Sequence, residues 1–373
     1  MFALTEEHTL LQEAARGFVQ DRMPTAHLRA LRTRGETAGF DRALWQETAA
    51  MGWAGVLIPE TFGGAGLGYL GLGLILEEMG KTLAPSPLLG TALIGPSAVL
   101  RGGSNAQQEN WLPKLAAGEV TAALAIDAGA HHDAKALAFT ATAAGDQFRL
   151  NGHAPFSQEA QAADLLLVAA NTPNGKRELF LIPATAPGVV RAHRSTVDAL
   201  GAAAITLQDV TVGQDAHLAE GSADLLDGVL DCARIGVAAY LLGLSTAAFE
   251  MSAEYLKTRV QFGQAIGTFQ GLQHRAAKMF VDLELTRSCV MAALAALDAN
   301  DKPEKIAELA SLAKARASDT AHVVTNETVQ MHGGIGMTDA HDAGLYLKRA
   351  RVLEALYGSA SFHRDRYATL AGI

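Results

Sequence analysis

The sequence contains few of the residues that define several large classes of protein. Of its 373 residues, 2 are cysteines and 6% are aromatic. Cys232 and Cys289 have no CxxC spacing, so we expect buried free thiols in a reducing cytoplasm rather than a disulfide framework. The first residues have no basic region before an apolar run, so no secretory signal is expected. The most apolar stretch, 235–244, is shorter than the ~20 residues that span a bilayer.

Positive charge is also scarce. The chain has 30 Lys and Arg against 39 Asp and Glu, a formal net charge of −9. An acidic chain repels phosphate backbones and anionic lipid surfaces, so neither nucleic acid nor a membrane is an expected partner. His131, His132 and Asp133 are adjacent in sequence, and adjacent residues rarely converge on one ion. We expect a surface turn there and no metal site.

Hydrophobic residues make up 49% of the chain, and their spacing changes twice along it. Residues 1–118 show helical periodicity, with Thr5 and Asp41 as expected N-caps. From about residue 119 to 222 the apolar segments are short and separated by turn signals, which is typical of strands; they are FTATA, FRLN, DLLLVAA, ELFLIP, VVRA and AITLQDVTV. Helical periodicity then returns over 223–373 in four long segments. The sequence therefore predicts an α+β protein: an N-terminal helical domain (1–118), a central β-barrel (119–222) and a C-terminal four-helix bundle (223–373).

Two motifs in the last domain suit a dinucleotide. RVQFGQAIGTFQ spans residues 259–270, and QMHGGIGMT spans 330–338. An arginine fork fits a pyrophosphate, amides fit ribose or adenine, and glycines let backbone approach a ligand closely. The candidate residues are Arg259, Phe262, Gln270, Gln330, Gly333 and Gly334. An ion-paired arginine and a tight interhelical turn fit the same spacing, so both interpretations stand at this point.

These motifs, together with MGWAGVLIPETFGGAGLG (51–68) and EEMGK (77–81), closely resemble the acyl-CoA dehydrogenase family, and the resemblance extends over nearly the whole chain. It implies FAD as cofactor, an acyl-CoA thioester as substrate and an electron-transferring flavoprotein as electron acceptor. It also implies that Arg259, Phe262, Gln270, Gln330 and Gly333 reach the flavin of a neighbouring subunit.

The resemblance fails where the catalytic carboxylate belongs. The family's glutamate precedes a glycine near the C-terminus, and here Tyr357 precedes Gly358. Some members carry the acid just before an arginine on the first bundle helix, where this chain has Ala233 before Arg234. Asp231 is close in sequence, but with Arg234 it is expected to bind the substrate, as the matching family positions do. Glu354 is expected to be solvated or paired with Lys348 or Arg351.

The part of the barrel that holds the chain's own flavin departs as well. Ile126 replaces the family's threonine, and the family's W-I-T-N reads Phe156-Ser157-Gln158-Glu159. Phe156 still offers a ring that could stack on the flavin. By this resemblance, the residues that serve a neighbour persist together and those that serve the chain's own site do not.

Four hypotheses follow. The bundle segment 239–279 resembles the small subunits of paired acyl-CoA dehydrogenases for pimeloyl-type or steroid-side-chain CoA esters. We therefore expect a subunit without the base in a mixed oligomer. The alternatives are a self-sufficient homo-oligomer with an unusual base, a non-redox acyl-CoA or flavin-binding scaffold, and a flavin-bound lyase or oxidase on the same fold.

Overall fold

A computed structural model describes residues 4–133, 135–221 and 224–373. The chain forms two compact units. One consists of residues 1–28, 73–84 and 234–373, and the other of residues 29–72 and 85–233. The boundary expected between residues 222 and 223 lies outside the described residues, so the three-domain division stays a prediction.

The helices occupy the two ends of the sequence. In chain order they are α1 (Glu6–Arg22), α2 (Thr25–Arg34), α3 (Arg42–Ala50), α4 (Gly68–Thr82), α5 (Gly95–Gly102), α6 (Asn105–Ala116), α7 (Leu225–Thr258), α8 (Gln270–Asp298), α9 (Pro303–His332), α10 (Ala343–Ala355) and α11 (Ala360–Leu370). A π-helical segment, Leu89–Ile94, precedes α5. By length and composition α7 could cross a membrane, but most of its apolar stretch is buried inside the protein, as in a core helix.

The helix starts follow from capping chemistry. The Thr5 hydroxyl accepts from the amide of His8, and the Asp41 carboxylate accepts from the amides of Ala43 and Leu44. Each cap satisfies amides that have no partner within the helix. Both N-caps expected from the sequence are confirmed.

The central region is one sheet of seven strands. They are β1 (Ala122–Ala125), β2 (Phe139–Ala144), β3 (Gln147–Gln158), β4 (Leu165–Asn171), β5 (Arg177–Pro183), β6 (Val189–Arg194) and β7 (Ala202–Gly213). The strand order is β1-β4-β2-β3-β7-β6, and β5 pairs with β4. A two-stranded hairpin, β8 (Val260–Gln261) with β9 (Gln264–Ala265), lies between α7 and α8.

One buried cluster fills the inner side of this sheet. It contains Ala123 of β1, at one edge of the strand order, and Ile205 of β7, near the other edge. A sheet whose distant strands share one core must curl around it. The expected α+β class, with N-terminal helices, a curled central sheet and C-terminal helices, is confirmed.

Three features differ in detail from the sequence expectation. β1 was not expected, because its four residues are all alanine or leucine and all are buried, which removes the alternation that marks a half-exposed strand. The helical periodicity extends the last long helix to about Tyr357, but the helix ends at Ala355. The chain then turns and forms α11, which the periodicity did not indicate.

Candidate functional site

The turn that carries Tyr357 is held by buried side chains from other elements. Tyr357 has φ of 56° and Gly358 has φ of 116°, so a non-glycine residue lies in the left-handed region. Arg234 Nε donates to Tyr357 O over 3.2 Å, and His363 Nε2 lies 3.1 Å from the same oxygen. Arg234 is 1% exposed, and its guanidinium carbon lies 5.7 Å from the centroid of the Phe362 ring.

Lys314 of α9 holds the two ends of the same turn. Its Nζ donates to Ser318 Oγ over 3.1 Å, to Glu354 O over 3.1 Å and to Gly358 O over 3.0 Å. These three bonds use all three protons of an ammonium group. Burial lowers the pKa of Lys314 to about 7, and the Glu354 charge opposes part of that shift. The turn is therefore fixed at three carbonyls by Arg234, His363 and Lys314.

Lys314 was missed by the sequence analysis. The helical phase of α9 does contain a signal, because Ser311, Lys314, Ala317 and Ala321 share one buried side of the helix. A lysine in register with buried alanine and serine has to find acceptors inside the protein. The sequence does not show that those acceptors belong to the Tyr357 turn.

Neither of the two positions where the family carries its glutamate has a carboxylate in this chain. Glu354 is ion-paired with Arg351 and lies 3.2 Å from His322 Nδ1, so the expected pairing with Arg351 is present. Ala233 is fully buried and carries no acid. Tyr357 is 4% exposed.

Asp231 lies in a polar cluster in the other unit. It is 3% exposed and interacts electrostatically with Arg101. In the same cluster Tyr69 Oη lies 3.1 Å from Ser97 Oγ, and Cys232 Sγ lies 3.7 Å from Tyr69 Oη. Burial is the main cause that raises the pKa of Tyr69, so its phenol stays protonated at neutral pH. Contact of Asp231 with a substrate stays a prediction.

The elements that carry the two dinucleotide-like motifs meet through the rings of Tyr255 and His332, whose centroids are 4.3 Å apart. Arg259 and Phe262 lie at the β8–β9 hairpin, Gln270 begins α8, and Gln330 precedes the turn after α9. We call the six exposed residues Arg259, Phe262, Gln270, Gln330, Gly333 and Gly334 the Arg259 surface. Phe262 is 91% exposed, which is a high value for a large apolar ring.

The Arg259 surface has room for a ligand. A Cβ placed on Gly333 or Gly334 would meet nothing within 4 Å, and Gly333 has φ of 61°. Within residues 4–133, 135–221 and 224–373, no side-chain hydrogen bond or ion pair engages Arg259. The alternative of an ion-paired arginine therefore has no support in the described part of the chain.

The end of β3 has a different character. A register shift lies between Ala154 and Ser157, and such bulges redirect side chains. Phe156, inside it, is half-buried. Ser157 and Gln158 are buried, and Ser157 Oγ and Gln158 Oε1 have no hydrogen-bond partner in the described chain. Glu159 has φ of 63° and its carboxylate accepts from the Gly90 amide over 2.7 Å.

A histidine and an aspartate form a pair in the loop before β2. His132 Nδ1 lies 2.8 Å from Asp127 Oδ1, and the His132 side chain is 1% exposed. Ile126 is 3% exposed, and its side chain has no hydrogen-bonding group, although its carbonyl accepts from the Ala138 amide over 2.8 Å. Among the described residues, no group of three or more His, Cys, Asp or Glu side chains is arranged to hold a metal ion.

Comparison with known protein families gives two matches. Residues 5–119 match the acyl-CoA dehydrogenase N-terminal domain, and residues 220–370 match the acyl-CoA dehydrogenase C-terminal domain. A curated relative, acyl-CoA dehydrogenase IpdE2 of Mycolicibacterium smegmatis, is 29% identical over 95% of this chain and 96% of its own length.

Two solved structures are similar over the whole chain. A variant of the Tcur3481-Tcur3483 steroid ACAD has 33% identity and a TM-score of 0.90, covering 98% of each chain. The ChsE4-ChsE5 complex from Mycobacterium tuberculosis has 25% identity and a TM-score of 0.91, covering 100% of this chain and 99% of that one.

Proposed function

Because this chain belongs to the acyl-CoA dehydrogenase family, a family of FAD-dependent oxidoreductases, we propose that it is the subunit without the base in a mixed oligomer. The oligomer oxidises an acyl-CoA thioester between its α and β carbons. It works in the cytoplasm and passes electrons to an electron-transferring flavoprotein. The partner is a homologous chain that keeps the glutamate.

The observation that carries this proposal is the contrast between two sets of residues. On the Arg259 surface, an unengaged guanidinium, exposed amides and an open glycine turn fit a dinucleotide diphosphate. At the end of β3, Ile126 has no hydrogen-bonding side chain, Gln158 is enclosed by protein, and the Glu159 carboxylate is bound to Gly90. The first set fits FAD held by a neighbour. The second keeps two buried polar atoms without a partner among the described residues, Ser157 Oγ and Gln158 Oε1, but lacks the threonine hydroxyl that Ile126 replaces, so it fits FAD held by this chain less well.

The acid–base groups lead to the same proposal. Oxidation of a thioester at its α and β carbons needs a base for the α-proton, and bound FAD supplies the hydride acceptor. Tyr357 carries a phenol, and phenols, with an ordinary pKa near 10, keep their proton at neutral pH and so cannot take the α-proton. Lys314 is fully buried, and its Nζ is held by Ser318 Oγ and two carbonyl oxygens of the turn. Neither is placed as a base.

The comparisons add support. The ChsE4-ChsE5 complex and the Tcur3481-Tcur3483 enzyme carry two chain names each, and both are similar to this chain over nearly its full length. A paired assembly is therefore known on this fold.

The test is to purify the chain alone and after co-expression with a homologue that keeps the glutamate, then to count flavins per chain and follow acyl-CoA oxidation. The proposal expects little flavin reduction by the lone chain and rapid reduction by the pair. Full flavin occupancy with rapid bleaching by acyl-CoA in the lone chain would favour the self-sufficient homo-oligomer. Acyl-CoA binding without reduction in either preparation would favour the scaffold.

An Arg259→Ala variant of this chain, co-expressed with an unchanged partner, locates the flavin. Loss of flavin from the pair places this chain's guanidinium at the partner's cofactor. Lys257→Ala is the matched control, because Lys257 is an exposed cation two residues away that is paired with Glu254. The two variants remove the same charge, so a difference between them reports the position of Arg259.

A further inference from the structure

Three rings lie directly beneath the Arg259 surface and join the elements that carry it. The centroids of Tyr255 and His332 are 4.3 Å apart, and those of His332 and His341 are also 4.3 Å apart. Tyr255 lies in the last turn of α7 and His332 is the last residue of α9. His341 lies just before α10. This stack is not used by any step of the proposed function.

The rings lie close in sequence to residues of the Arg259 surface. Arg259 follows Tyr255 by four residues, one helical turn, and its amide donates to Tyr255 O over 2.9 Å. Gly333 follows His332 directly. The contact between the Tyr255 and His332 rings therefore sets the separation between the β8–β9 hairpin and the glycine turn.

The hydrogen bonds of the two imidazoles fix their orientation. His332 Nδ1 lies 2.7 Å from Thr328 O, so this nitrogen carries the proton and donates it. The Ala343 amide donates to His341 Nδ1 over 3.2 Å, so that nitrogen is the acceptor of this bond. His332 is 4% exposed, and burial lowers its pKa, which favours the neutral ring. Two bonded rings in contact make a rigid stack.

We propose that His332 is a positioning residue for the Arg259 surface: its ring contact with Tyr255 holds the β8–β9 hairpin and the Gly333–Gly334 turn at the spacing that a dinucleotide needs. This rests on the proposed function for the identity of the ligand. The mechanical part, coupling between two segments 70 residues apart in sequence, stands on the ring contacts alone. An ion pair between Arg275 and Glu327 joins α9 to α8, the helix that follows the hairpin.

The experiment measures amide hydrogen exchange in the full-length chain for His332→Ala and His332→Phe. In the alanine variant we expect the amides of both segments, 260–265 and 333–337, to exchange about fivefold faster or more, because local opening is less costly. Phenylalanine restores the ring contact but not the bond to Thr328 O, so it should bring the hairpin back towards its original rate. His274→Ala, an exposed histidine of α8, is the control and should change neither segment.

Tyr255→Leu provides the reciprocal measurement and remains informative if His332→Ala folds poorly. It should speed exchange in the glycine turn, although Tyr255 lies on another helix. Unchanged exchange in the hairpin of His332→Ala, or in the glycine turn of Tyr255→Leu, overturns the inference. So does a phenylalanine variant that behaves like alanine.

Flavin binding provides the second measurement. FAD is titrated into the flavin-stripped protein in its assembled form, and His332→Ala should weaken binding about tenfold, which is about 1.4 kcal/mol. If Arg259→Ala weakens FAD binding and His332→Ala does not, the positioning role fails while the proposed function stands. If Arg259→Ala has no effect, the proposed function fails, and the exchange experiment alone decides whether the two segments are coupled.

Discussion

Replacing Lys314 with methionine should remove a rise in the free energy of unfolding with pH that few other residues could cause. In the folded chain the Lys314 pKa is lowered to about 7 from its ordinary 10.5, chiefly by burial. Between those two pH values the unfolded chain holds the proton and the folded chain does not. Because the unfolded state then binds more protons, the free energy of unfolding rises with pH across this window.

The size of the effect follows from the shift. One bound proton corresponds to about 1.4 kcal/mol per pH unit, so Lys314 should add about 4 kcal/mol between pH 7 and pH 10. Methionine has a similar length and no proton to lose. It also leaves Glu354 O and Gly358 O without the lysine donor, which lowers stability at every pH by roughly 1–3 kcal/mol for each oxygen. Only the slope of the unfolding free energy against pH reports the titration of Lys314.

The assay is urea unfolding at fixed protein concentration and at half-unit steps from pH 7 to pH 10. The quantity of interest is the unfolding free energy of the original chain minus that of Lys314→Met. Other groups that titrate in this range cancel in that difference. Lys305→Met, an exposed lysine on the same helix paired with Asp301, should leave the slope unchanged. A difference that stays flat with pH would refute the deprotonation of Lys314 on folding.

Three further results are expected. Tyr357→Phe should keep the fold, the flavin content and any turnover of the assembled enzyme, because the phenol is not the base; abolished activity in a folded, flavin-loaded sample would contradict this. Arg259→Ala should weaken FAD binding by about 1.5–3 kcal/mol in a fluorescence titration, and unchanged binding would remove Arg259 from the site. Gly243→Ala should lower the unfolding free energy by at least about 1–3 kcal/mol, because its Cβ would lie 1.8 Å from Glu77 O. Gly17→Ala, in open space on α1, should raise the unfolding free energy by about 0.5–1 kcal/mol. Equal effects of the two substitutions would contradict the close approach of α4 and α7.

The sequence predicted best where the local chemistry decides the structure. Thr5 and Asp41 cap their helices, and six short apolar segments became strands β2 to β7, because capping and alternation depend on a few neighbouring residues. The segment FRLN predicted only the start of β3, which continues to Gln158. Beyond Asn151 the pairing with β7 is interrupted by register shifts, which the local pattern does not reveal.

The sequence predicted less where distant parts of the chain meet. The Tyr357 turn depends on Arg234, Lys314 and His363, which lie on three helices. The carboxylate of Glu159 is matched by an amide 69 residues earlier. Neither set of contacts follows from the residues next to it in sequence. The residues of the site could therefore be predicted, but the hydrogen bonds among them could not.

The division of the chain into interleaved segments has a consequence for its synthesis. The unit that contains α1 also needs residues 73–84 and 234–373, and residues 234–373 are synthesised after the whole of the other unit. Arg16 of α1 pairs with Glu78 within this unit, but most of the unit lies near the C-terminus. At translation rates of about 5–20 residues per second, α1 waits roughly 20–70 s for those helices. During that interval its apolar side is available to chaperones, and a nascent chain stalled before residue 234 should be an efficient chaperone substrate.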